Sequence, residues 1–331
     1  MSRLLRCLPL ALVALLVVAP APVATQARTD EMTAREEAAI DKGLKYLAGA
    51  QQEDGSWGRS HPVANTALAL MAFMVKGHMP ERPPYGTVMS KGVEYLLKAG
   101  ADNAGYMGSS MYEHGLATLA LSEAWGMSSR SEKIREGLKK AVNVILKSQS
   151  PHGGWRYQPT PNDEDVSITV MQVMALASAK EAGIVVPNAT IEKAVKYVKS
   201  LQHANGGFNY HSANERRPGF ARTAAGVTAL LVCGDRNSSE LKSGLEYLRK
   251  VEKSKFDRLP DSTWYYYGHY YAAVAMFLAG DSYHRDWYPQ IRDALLKKQK
   301  ADGSFNGEDY GTPMAILILG IPYRFIPIYQ R

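Results

Sequence analysis

Residues 149–155 read Gln149-Ser150-Pro151-His152-Gly153-Gly154-Trp155. Before them runs an amphipathic stretch, IREGLKKAVNVILK, and after them an apolar one, DVSITVMQVMALASAKEAG. The same passage recurs at Gln51-Gln52-Glu53-Asp54-Gly55-Ser56-Trp57, at Gln202-His203-Ala204-Asn205-Gly206-Gly207-Phe208 and at Gln299-Lys300-Ala301-Asp302-Gly303-Ser304-Phe305. Two weaker copies keep part of it. Gly105 stands beside an aromatic without the Gln, and the segment ending near Phe256 keeps its helix but loses the glycine. The turns therefore recur about every 50 residues, six times. A fixed period of that length is the signature of a helical-repeat architecture.

Each unit has two parts. The first carries apolar residues at helical spacing with Lys and Glu between them, as in Ile191, Ala194, Val195, Val198 and Leu201. Such a pattern suits a helix with one buried face. The second is shorter and almost wholly small or apolar, which suits a helix buried on every side. No single hairpin of this kind buries its own surface, so stability needs stacking. The expected fold class is all-α, an α/α toroid of about six hairpins with apolar helices inside and amphipathic helices outside. An open superhelix is the alternative. The ring is favoured because the last unit and the tail MAILILGIPYRFIPIY are too apolar to face solvent as an end cap, and Pro322 and Pro327 argue against a terminal helix or membrane span.

The first 27 residues have the composition of a secretory leader, with Arg3 and Arg6 ahead of an apolar run over Leu8–Ala19 and small residues up to Ala27. That run is shorter than the ~20 residues that span a bilayer. The expected organisation is a leader over 1–27 and one toroid over 28–331, exported to the periplasm or secreted with cleavage near Ala27. Without the leader one cysteine remains, Cys233, so no internal disulfide is available. The formal charge is +7 and falls to about +5 with the leader removed, spread over helix faces, which does not suit nucleic acid.

The Gln-to-aromatic turns resemble the QW motif of the squalene-cyclase and protein-prenyltransferase repeat superfamily. The likeness runs from about residue 33 to 331. It implies that Gln51, Gly55, Trp57, Gln149, Gly153, Trp155, Gln202, Gly206, Phe208, Gln299, Gly303 and Phe305 are structural. The glycine permits a tight reversal, the aromatic packs beneath it, and the Gln bonds backbone at the next helix start. The resemblance also directs attention to Asn162-Asp163-Glu164-Asp165-Val166-Ser167, where cyclases carry an Asp-x-Asp-Asp-Thr acid motif. Here that motif is degenerate, with Asp163 and Asp165 as the candidate catalytic acids; the other reading makes them a helix cap. Prenyltransferases need a zinc site of Asp, Cys and His, and the equivalent turn supplies no such set. No metal and no cofactor are expected.

In a toroid the inner-helix starts gather at one mouth. The repeats bring there His61, Asn65, Tyr112, Glu113, His114, Asp163, Asp165, Phe220, Arg222, Tyr265, Tyr266, Tyr267, His269, Tyr270, Asp309 and Tyr310, and the run Trp264–Tyr271 is the densest aromatic patch. Aromatics with polar tips line apolar-ligand cavities or stack on sugars, and they also simply fill cores. The expected function is binding of an apolar, isoprenoid-like or lipid ligand in the central cavity; a centre filled by side chains, with no pocket bordered by Tyr266 or Asp165, would contradict it. The alternatives are a terpene-cyclase-like isomerase using Asp165 as general acid, a glycan-active toroid with Tyr or His near a carboxylate in an open cleft, and a scaffold whose outer helices bind a partner.

Overall fold

Helices form in pairs where the repeat places them. The protein is described by a computed structural model covering residues 32–215, 217–250, 264–306 and 308–330; the expected leader and the turn near Phe256 lie outside the described residues. The amphipathic helices are α1 (Ala34–Ala50), α3 (Gly86–Ala101), α5 (Ser131–Lys147), α7 (Asn188–Ser200), α9 (Ser239–Arg249) and α11 (Asp281–Lys298). Their apolar partners are α2 (Pro62–Val75), α4 (Met111–Trp125), α6 (Val166–Glu181), α8 (Phe220–Val232), α10 (Tyr265–Leu278) and α12 (Glu308–Gly320). On α5 one stripe is buried, Ile134, Leu138, Ala141, Val142 and Ile145. On α2 every residue from Val63 to Val75 is buried. Periodicity thus sorts the two layers: a one-sided helix stays outside, and an all-apolar helix goes inside.

The inner helices pack in sequence order, α2 on α4, α4 on α6, and onward to α12, which packs back on α2 and on α1. The ring is closed, as expected of an α/α toroid. Its end on the side of the helix C-termini is covered by the tail. Ile326, Ile328 and Tyr329 are buried, the tail's last turn lies on α6 and α10, and the Tyr329 hydroxyl donates to the Tyr270 hydroxyl at 3.3 Å.

The four Gln residues make one repeated pair of bonds. Each Nε2 donates to the carbonyl of its own turn glycine and to a carbonyl early in the next outer helix. The partners are Gly55 and Val88 for Gln51 (3.0 and 2.8 Å), and Gly153 and Thr190 for Gln149 (2.9 and 2.9 Å). Gln202 bonds Gly206 and Glu240 (3.1 and 2.7 Å). Gln299 bonds Gly303 and Ala39 (3.0 and 2.7 Å), which ties the last repeat to the first. The turn glycines sit too close to the next helix for a side chain. At Gly153 φ is 107° and a Cβ would lie 2.3 Å from the Lys193 carbonyl, where L-residues are strained regardless of space.

A second staple was not read from the sequence. The backbone N–H of each turn aromatic donates to a threonine in the first turns of the inner helix: Trp57 to Thr66 (3.1 Å), Trp155 to Thr169 (3.1 Å), Phe208 to Thr223 (2.9 Å) and Phe305 to Thr312 (3.0 Å). Each indole also donates to the preceding outer helix, Trp57 to Leu47 (2.7 Å) and Trp155 to Ile145 (2.8 Å).

Replacing Gln299 with Ala strands two carbonyls at the seam of the ring, so it is expected to cost about 1–3 kcal/mol. Urea unfolding of Gln299→Ala checks this against Lys139→Ala on the exposed face of α5, expected to stay within ~0.5 kcal/mol of the parent.

Candidate functional site

The N-termini of the inner helices surround an open cavity of about 1080 Å³. Its walls are aromatic: Tyr112 from α4, Tyr157 from the segment before α6, Trp264 and Tyr267 from the start of α10, and Tyr310 from α12, with Ile168 and Ala64 between them. Tyr112 and Tyr310 meet across the ring, hydroxyl to hydroxyl at 3.1 Å. Burial pushes the Tyr112 phenol up to about 12 and that of Tyr310 well above its ordinary value, so both stay protonated at neutral pH. The rim is polar, with Arg59, Ser60, His61, Asn65, Ser110, Glu113, Ser167 and Asp309.

Glu113 is the most constrained of the rim groups. It is 2% exposed, although it borders the cavity. Its Oε1 accepts from the Ser109 hydroxyl (2.6 Å) and backbone (3.4 Å), and from His61 Nδ1 (3.0 Å). His61 caps α2 in the left-handed region, φ 53° and ψ 51°, directly before Pro62. A non-glycine residue there is uncommon and strained. Asn65 Nδ2 donates to the Ser60 carbonyl at 2.8 Å. Gly58 leaves room for both Asn65 and Asp309, since a Cβ there would lie 2.3 Å from Asn65 Nδ2 and 3.0 Å from Asp309 Oδ2.

The candidates chosen from sequence divide into two groups. Tyr112, Asp309 and Tyr310 line the cavity, as do His61, Asn65, Glu113 and Tyr267. Tyr266, His269, Tyr270, Arg222, His114, Asp163 and Asp165 do not. The pocket is bordered by Tyr267 and Ser167, not by the expected Tyr266 and Asp165. His114 takes the threonine place in the second repeat. Its Nδ1 accepts from the backbone of Met107, which stands at the aromatic position (3.1 Å), and its Nε2 donates to the Ala141 carbonyl (3.1 Å). Burial holds it down to about 4, so it is a neutral staple. His269 is buried against Tyr265, Phe220 and Trp287. Tyr266 and Tyr270 are buried too, and Arg222 lies over the Tyr210 ring at 5.9 Å.

Asp165 caps α6: its Oδ1 accepts from the backbone of Ser167 (2.7 Å) and Ile168 (2.9 Å). Its second oxygen has Arg156 Nε at 3.6 Å. The Tyr210 hydroxyl meets that of Tyr157, a wall residue, at 3.4 Å. Asp163 is half exposed and pairs with Arg156 (3.5 Å) and His211 (3.2 Å). Sequence reasoning missed Tyr157 and Ser167 as wall residues, while Trp264, from the aromatic run at the start of α10, does line the cavity. Among the described residues, no group of three or more His, Cys, Asp or Glu is placed to hold a metal ion, and no helix is long and apolar enough to cross a membrane.

This geometry has relatives. Residues 118–264 match the squalene-hopene cyclase C-terminal domain family. Over 137 residues the chain is 28% identical to lanosterol synthase of Aspergillus fumigatus, covering 39% of this chain and 18% of that protein. The chain thus spans about a fifth of the length of that curated relative. The type II terpene cyclase MstE from Scytonema, bound to geranylgeranyl dihydroxybenzoate, has a similar structure at TM-score 0.58 and 13% identity, over 88% of this chain and 98% of the other. An α-1,6-mannanase of Salegentibacter sp. bound to α-1,6-mannotriose has a TM-score of 0.63 at 9% identity, over 88% and 99%. At such identities the two structures speak for the fold alone. Together with the sequence matches, they make this chain a squalene-cyclase-like α/α toroid.

Burial pushes the Asp165 carboxyl from 3.8 up to about 6, against the opposing pull of the Ile168 N–H and Arg156. An acid raised on folding contributes stability below its unfolded pKa and loses it as pH rises through the folded one. Two units correspond to about 3 kcal/mol lost between about pH 4 and pH 6. Asp165→Asn keeps the cap and is expected to remove that loss, leaving the variant at least as stable as the parent at pH 7.5. Thermal unfolding across pH 4–7.5 checks it.

Proposed function

We propose that the protein binds an apolar, isoprenoid-like ligand in the mouth cavity, with no catalytic step established. One observation carries the reading: the mouth of the ring stays open and is walled by five aromatic side chains. A cavity near the upper end of the roughly 300–1,000 Å³ of small-molecule sites, mostly apolar with a few convergent polar groups, is the form such sites take. The partial likeness to squalene-hopene cyclases supports the choice of an isoprenoid. Cyclisation with Asp165 as the general acid gains less support, because that carboxyl lies outside the cavity and is committed to capping α6.

A second reading is favoured by the rim. His61 beside Glu113, with Asp309 on the same open cavity, is the arrangement a glycan-active toroid needs, and aromatic walls also stack on sugar rings. Export to the periplasm or exterior, with residues 1–27 removed, belongs to the proposal as well. Its support is the charged, then apolar, then small-residue pattern of the leader; N-terminal sequencing of the secreted protein tests it.

Trp264 borders the cavity and is 57% exposed, so its fluorescence reports on occupancy. Titration with geranylgeraniol is expected to give a saturable emission change, lost in Trp264→Phe. A response to mannotriose with none to the prenyl alcohol would transfer the assignment to the glycan reading.

A further inference from the structure

The wall around the cavity is not neutral toward charge. Two carboxylates line it, Glu113 and Asp309, against one arginine, Arg59. The acids and the base differ in burial. Arg59 is exposed and its charge is spent on water, whereas Glu113 is almost fully enclosed. Charges withdrawn from water act much more strongly on a bound ligand than charges in it. The field at the polar end of the cavity is therefore set by Glu113, with Asp309 half-buried across the ring.

The bonding of Glu113 is lopsided. All three donors, Ser109 Oγ, Ser109 N and His61 Nδ1, converge on Oε1. Oε2 has no hydrogen-bond partner among the described residues, while the residue itself lines the cavity and is 2% exposed. Oε2 is not sealed from water as a buried unsatisfied atom would be, so a ligand that displaces its water has to bring an O–H or N–H in its place. Asn65, Ser60 and Ser110 line the same cavity, and all carry neutral polar groups. His61 is held in a strained backbone conformation at the same edge, and its imidazole orients the carboxylate.

We infer that Glu113, oriented by His61 and Ser109, is the recognition point for a neutral hydroxyl-bearing head group, and that the cavity rejects diphosphate and carboxylate head groups. The assignment deepens the cavity-binding reading and rests on it. A hydroxyl donates to Oε2 at no electrostatic cost. A diphosphate in the same place sets its negative charge against that of a carboxylate held largely out of water. The hydroxyl has two sources, a prenyl alcohol or a sugar, and the aromatic wall accepts either body.

The test is calorimetric titration of the mature protein with geranylgeraniol, geranylgeranyl diphosphate and mannotriose, in the parent, Glu113→Gln and His61→Asn. Gln replaces the free acceptor by a donor, and Asn tolerates the left-handed backbone at position 61. In the parent, the alcohol is expected to bind at least tenfold more tightly than the diphosphate. In Glu113→Gln that preference falls at least tenfold, and His61→Asn weakens the alcohol several-fold with the preference retained. Thermal unfolding of both variants, unchanged from the parent, separates recognition from folding. Equal or tighter parental binding of the diphosphate overturns the inference, and so does a preference unmoved by Glu113→Gln. Mannotriose binding that weakens at least tenfold in Glu113→Gln, with neither prenyl compound bound, upholds the hydroxyl site and overturns the isoprenoid body. Binding of none of the three overturns both.

Discussion

The structure depends on a carboxamide that reaches two ways. Each QW-type Gln holds its own turn glycine with one bond and the next outer helix with the other. A hairpin of one amphipathic and one apolar helix has no reason to stand alone, because its inner helix is apolar all round. The Gln fixes how far each hairpin turns from the last, and at Gln299 it meets Ala39 and closes the series. Once closed, the ring needs no capping repeat, and the apolar tail has a place to go against α6 and α10.

The open mouth follows from the same geometry. Helix N-termini carry unpaired N–H groups that need acceptors, and the toroid collects these ends on one side. Some are satisfied by side chains of their own helix, such as Asp165 and Ser110. Others are met by the neighbouring repeat: Met111 N–H donates to the Tyr157 carbonyl and Val166 N–H to the Tyr210 carbonyl, at 2.8 and 2.9 Å. The segments that do this cross the mouth and bring Tyr157 to the cavity wall. Polar rim and aromatic wall are thus consequences of how the ends are capped.

Much of this was legible in the sequence. The turns, the inner and outer sorting and the ring all follow from spacing that side chains cannot disguise. The site was legible only in part, for a geometric reason. Successive residues on a helix point ~100° apart, and on α10 they run Tyr265, Tyr266, Tyr267 with no polar partner to betray the inward face. Tyr267 faces the cavity and Tyr266 packs against Gly311. His114 was attractive as a mouth histidine, yet its register matches that of Thr66, Thr169, Thr223 and Thr312. A comparison of the first two turns across repeats would have found that. Tyr157 lies outside the inner-helix starts, where the pattern offers no periodicity to read.

The ligand proposed here lies in the cavity at the mouth of the ring. Native mass spectrometry of the protein purified from its own compartment tests this most directly. The prediction is an adduct of isoprenoid mass, absent when Tyr112 and Tyr267 on the cavity wall are both replaced by Ala. A bare mass in the parent protein, or an adduct that survives the double replacement, would contradict it.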